Sequence, residues 1–137
     1  MATNEKQRVT GLGGVFFRTN DPGASSAWYQ KHLGIAPEWE HGATFRWREY
    51  DRPEKASMTV WSQFKKDTDY FGDANQSFML NYRVENLDLV LTQLRNEGVW
   101  VDDKRDESEF GKFGWIKDCD GNRVELWEPP KDNPDCS

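Results

Sequence analysis

Glu125 is the acidic side chain best placed to do chemistry in this sequence. It lies in Val124-Glu125-Leu126-Trp127, a β-prone run that returns from the turn Asp120-Gly121-Asn122 after Phe113-Gly114-Trp115-Ile116-Lys117. A strand, a tight turn and a returning strand would therefore carry one inward carboxylate. A carboxylate so held either pairs with a cation, which lowers its pKa, or stays desolvated and becomes a proton acceptor. The two histidines offer less: His32 falls in the last turn of a helix, where it complements the helix dipole, and His41 lies in the loop Glu38-Trp39-Glu40-His41. Cys119 in the hairpin turn and Cys136 near the end give neither a disulfide framework nor a zinc spacing, so free thiols are expected. Gly11-Leu12-Gly13-Gly14 enters a strand where a dinucleotide loop would leave one, and Asp67 to Asp73 puts Phe78 where a calcium loop needs a glutamate.

The elements that must position Glu125 are marked by caps and turns. Asp21-Pro22 opens a helix over residues 22–33 that closes at Leu33-Gly34, and Asn86 opens another over 87–97 that closes at Gly98. Thr44 to Tyr50 and Ala56 to Ser62 alternate as half-buried strands around the turn Asp51 to Lys55. Val99-Trp100-Val101 starts a further segment, and Asp102 to Glu109 reads as a charged loop. The chain also repeats itself: Phe17-Arg18-Thr19-Asn20-Asp21 is echoed by Tyr82-Arg83-Val84-Glu85-Asn86, and Thr59-Val60-Trp61-Ser62 by Glu125-Leu126-Trp127-Glu128. One domain of two modules, 8–63 and 76–129, follows, with a connection at 64–75 and a flexible tail at 130–137. The aromatic and Asp/Gly-rich stretch from Phe64 to Gln76 is long enough to fold over an opening.

The closing hairpin and this repeat resemble the glyoxalase/bleomycin-resistance/extradiol-dioxygenase group, the vicinal oxygen chelate superfamily. The resemblance implies an α+β fold of two βαβββ modules forming cupped mixed sheets with helices on the outer face. Metal-using members hold a divalent ion with four side chains, and the matching positions here are Gly14, Thr59, Met79 and Glu125. Glycine has no side chain, a threonine hydroxyl is a poor ligand and a thioether is soft, so Glu125 is the only plausible metal ligand. No cofactor is expected.

Residues two apart share a face, so those positions imply a cleft lined by Phe16, Arg18, Thr59, Trp61, Met79, Asn81, Arg83, Arg123 and Trp127 around Glu125. Val15, Phe17, Leu80, Tyr82 and Val84 would then pack beneath the helices. Two functional classes remain. One is metal-independent binding of a small aromatic or amphipathic molecule in the cleft of a homodimer; the other is a lyase, isomerase or dioxygenase using Glu125 as metal ligand or general base. A structural alternative fills the cup with Trp61 and Trp127 and pairs Glu125 with Arg123. Composition narrows the partners. A net charge of −6 without a basic cluster argues against nucleic acid, and the sequence has no apolar run of spanning length, so a cytoplasmic protein without membrane contact is expected. With hydrophobic residues at 36% of the chain but seven tryptophans, aromatic area replaces aliphatic area in the core.

Overall fold

A computed structural model describes residues 6–131; the expectations for Cys136 and for the tail from 132 onward lie outside them. The elements are β1 (Val9–Thr19), α1 (Pro22–Leu33), β2 (Gly42–Arg48), β3 (Ala56–Lys65), β4 (Phe78–Val84), α2 (Leu87–Asn96), β5 (Val101–Ser108), β6 (Gly111–Lys117) and β7 (Arg123–Glu128). Their strands form one mixed sheet in the order β2-β3-β1-β4-β7-β6-β5. β1 runs parallel to β3 and β4 parallel to β7, while β1 and β4 meet antiparallel at the centre. The two modules thus join within one chain. The second is a complete βαβββ unit; in the first, the fourth strand is reduced to a single bridge between Trp39 and Gly42. The expected α+β architecture is the one observed.

Local chemistry explains the helix ends. Asp21 Oδ1 accepts the Ala24 amide at 3.1 Å and Asn86 Oδ1 accepts that of Leu89 at 3.0 Å. Gly34 closes α1 in the left-handed region, at φ 72°. The helices dock unequally. α2 buries Leu87, Val90 and Leu91 against Val84, Val124 and Leu126, with Tyr82 at the margin. α1 is held by aromatic edges: Tyr29 lies 6.1 Å from the Phe17 ring and 5.0 Å from Trp61, while Trp28 stays half exposed. Of the residues expected beneath the helices, Leu80 lies partly open to solvent on the outer face.

The segment from Asp102 onward, expected as a charged loop, is the edge strand β5. Charges on both faces hide its strand periodicity, and such charges are what an unpaired sheet edge requires. Two of them form ion pairs with other elements: Arg105 meets Asp88 at 2.6 Å and Asp102 meets Arg123 at 3.0 Å. The β5–β6 reversal depends on Gly111, whose φ is 118° and where an added Cβ would sit 2.3 Å from the Glu128 carbonyl oxygen. Gly111→Ala is expected to cost about 1–3 kcal/mol in a denaturant titration, because both the backbone conformation and the space exclude a side chain.

Candidate functional site

The inner face of the sheet lines a half-open cavity of about 670 Å³. Phe16, Met58, Val60, Phe64, Phe113 and Trp127 supply apolar walls, and Tyr70, Asn81 and Glu125 supply a polar floor. Glu38, Trp39, Thr44, Arg46 and Phe110 also line it. An apolar cavity of this size holding a few placed polar groups is the usual form of a small-molecule site.

Glu125 is almost completely buried, at 1% exposure, and its hydrogen-bond partners are all neutral. Asn81 Nδ2 donates to Oε1 at 2.5 Å, and Trp115 Nε1 donates to Oε2 at 3.0 Å. The Tyr70 hydroxyl makes a short hydrogen bond to Oε2. These donors come from β4, β6 and the connection after β3. Loss of solvent raises the Glu125 carboxyl above the ordinary glutamate value of 4.5, and the donors from Tyr70, Asn81 and Trp115, with the more distant charge of Arg123, offset part of that rise. Burial, with the charge of Glu125 beside it, also pushes the Tyr70 phenol up, so Tyr70 remains a donor.

The arginines expected in the cleft are committed elsewhere. Arg123 pairs with Asp102 and lies 5.3 Å over the Trp115 ring. Arg18 gathers the connection, donating to the carbonyls of Lys66, Thr68, Asp73 and Gln76 at 2.7–3.2 Å and covering Phe71 at 5.0 Å. That clasp places Tyr70 over the floor, where its ring stacks on Phe64 at 5.4 Å. Arg83 is buried with Nη1 3.4 Å from the Met58 carbonyl and lies 5.0 Å over the Trp127 ring. Its guanidinium lies 5.8 Å from the Trp47 ring.

Five other expected residues divide. Asn81 and Trp127 line the cavity; Trp127 stacks on Phe113 at 6.0 Å and donates Nε1 to the Phe110 carbonyl at 2.7 Å. Met79 is fully buried in the cluster of Phe16, Phe71 and Trp115. Thr59 lies on the other face, accepting from Trp47 Nε1 at 2.8 Å and donating to the Leu12 carbonyl at 2.6 Å. Trp61 packs beneath α1, so the expectation that Trp61 and Trp127 share one cavity is corrected.

The correction is one of register. Phe16 pairs with Ser62 across β1 and β3 as Asn81 pairs with Glu125 across β4 and β7, and the β1–β4 pairs Phe16–Met79 and Gly14–Asn81 are exchanged by the same pseudo-two-fold. Ser62 is therefore the counterpart of Glu125, three residues beyond Thr59. It turns the even-numbered side of β3, from Met58 to Phe64, into the cavity. Beside the expected ligand positions Gly14 and Met79, the strand pairs so related are Phe16–Ser62 and Asn81–Glu125. They do not fit a divalent ion: one carboxylate stands among a phenyl ring, a hydroxyl and an amide, and three donors already face that carboxylate. Among the described residues no three His, Cys, Asp or Glu side chains converge on a metal-sized site. Neither His32 nor His41 lines the cavity; His32 lies 5.0 Å from the Trp28 ring and His41 beside Glu40.

Fold and site together define a cupped-sheet protein with a half-open, largely apolar cavity on its inner face. The chain belongs to the Glyoxalase/Bleomycin resistance protein/Dioxygenase superfamily, whose family model matches residues 11–126. Among solved structures it is similar to methylmalonyl-CoA epimerase from Mycobacterium tuberculosis, with 22% identity and a TM-score of 0.58 over 89% of both chains. It is also similar to a selenomethionine methylmalonyl-CoA epimerase, at 19% identity and a TM-score of 0.60 over 93% of this chain and 100% of that one. A Streptomyces coelicolor methylmalonyl-CoA epimerase variant with 2-nitronate-propionyl-CoA has 16% identity and a TM-score of 0.61 over 87% of this chain and 96% of that one. At these identities the likeness is one of fold. No curated protein sequence matches the chain.

Glu125 fixes a pH dependence. Because its native pKa lies above the ordinary 4.5, the folded state binds the proton more tightly than the unfolded one, and stability falls as pH rises from about 4.5 through the native value. Glu125→Gln keeps the shape and removes the titration. Thermal melts at acid and neutral pH are expected to show the wild type losing stability relative to Glu125→Gln as pH rises; equal slopes would show that the burial cost is absent.

Proposed function

We propose that this protein binds a small aromatic or amphipathic molecule in the inner cavity without a metal ion, as a homodimer in the cytoplasm. The observation that carries the reading is the state of Glu125: a buried carboxylate whose neighbours are an amide, an indole and a phenol cannot recruit a second metal ligand, while aromatic walls surround it. The apolar area left open on the first module, including Trp28, Leu33 and Phe45, supports pairing with a second copy. Among the described residues no helix is long and apolar enough to cross a membrane.

One observation favours the enzymatic alternative, a lyase or isomerase with Glu125 as general base. Its raised pKa brings proton transfer nearer to neutral pH. Against it, three neutral donors already occupy most of the acceptor directions of the carboxylate, which leaves it one direction for a substrate proton and weakens it as a base.

Protein purified without chelator is expected to hold far less than one divalent ion per chain, with added Zn, Ni or Mn raising its melting temperature little. A planar aromatic ligand at a hundred times its Kd adds about 2.7 kcal/mol to the native state and raises the melting temperature in proportion. One tightly held ion per chain, lost in Glu125→Ala, would overturn the metal-free reading.

A further inference from the structure

The floor of the cavity is unbalanced in its hydrogen bonding. A carboxylate offers about four acceptor directions, and three donors reach Glu125. Asn81, 1% exposed, spends an N–H on Glu125 and leaves its own carbonyl oxygen buried with no donor. That oxygen lies against Gly13, where an added Cβ would come within 2.2 Å of it. Gly13 lines the same cavity, and its lack of a side chain keeps the approach to Asn81 from being closed. None of the nearby arginines hydrogen-bonds the floor: Arg123 is held by Asp102, Arg18 by the carbonyls of the connection, and Arg83 lies over Trp127 and reaches Met58, while Arg46 lines the cavity from β2, which three strands separate from β7. Ser62 places a hydroxyl on the wall, which serves as donor or acceptor alike.

Resting on the cavity-binding reading above, we infer that the site selects planar aromatic ligands that are uncharged and carry an N–H or O–H donor, such as phenols and indoles, and rejects aromatic carboxylates. A donor entering between Gly13 and Glu125 meets an unsatisfied amide carbonyl and the remaining acceptor direction of the carboxylate. A ligand carboxylate entering there meets those same acceptors and a like charge, with no cation hydrogen-bonded to the floor to compensate. The flat walls, where Phe113 and Trp127 stack almost parallel at 4°, suit a fused ring.

Three naphthalenes of the same ring size separate these effects: 2-naphthol, 2-methoxynaphthalene and 2-naphthoate, titrated into the full chain by calorimetry at neutral pH. The expected order is 2-naphthol about tenfold or more tighter than 2-methoxynaphthalene, with 2-naphthoate weakest. In Glu125→Gln, which exchanges one acceptor oxygen for an N–H, the gap between 2-naphthol and 2-naphthoate should narrow. If the three bind within about threefold of one another, or 2-naphthoate binds best, the donor rule is overturned while the cavity reading stands. If none binds, the cavity reading fails and the donor rule with it. An unchanged gap in a folded Glu125→Gln variant would remove Glu125 from the selection.

Discussion

Keeping one carboxylate out of water with neutral hydrogen-bond donors in place of a direct ion pair constrains most of the inner face. Glu125 would be costly to bury alone, and the structure offsets that cost with neutral donors brought from three separate places. Trp115 comes from the neighbouring antiparallel strand and Asn81 from the parallel one, so both are fixed by the sheet. Tyr70 comes from the inter-module connection, which Arg18 ties down through four backbone carbonyls. Shape, strap and floor chemistry thus share one cause, and the arginines that might have neutralised Glu125 are the groups that organise its surroundings.

The pseudo-two-fold relation between the modules shows how the site has become one-sided. Where the second module places Asn81 beside Glu125, the first places Phe16 beside Ser62. An arrangement that supplies four ligands when both halves carry them here supplies one acidic floor and one apolar wall. The first module is also thinner, with a single Trp39–Gly42 bridge at its outer edge and a helix attached by aromatic edges. Its aromatic surplus compensates for few aliphatic contacts, in keeping with seven tryptophans in the chain.

Much of this was legible in the residues, and the failures have physical reasons. Asp21, Asn86 and Gly34 marked helix ends because caps are local chemistry. The faces of β4 and β7 followed from alternation once Glu125 was taken as inward. On β3, matching Trp61 to Trp127 aligned two tryptophans that serve different faces, and only pairing partners reveal that Ser62 corresponds to Glu125. β1 hides a further irregularity, a register shift between Leu12 and Gly14 that brings Gly13 to the cavity wall. Tyr70 could be suspected from an aromatic-rich connection, but its bond to Glu125 spans 55 positions and leaves no local signal.

The central claim is that Glu125 is buried among neutral donors and is not ion-paired. Its carboxyl resonance, assigned by comparison with Glu125→Gln and followed by carbon NMR across a pH titration, tests that claim most directly. A midpoint above the 4.5 of an ordinary glutamate is expected. A midpoint below that value would mean that a cation reaches the carboxylate, and would contradict it.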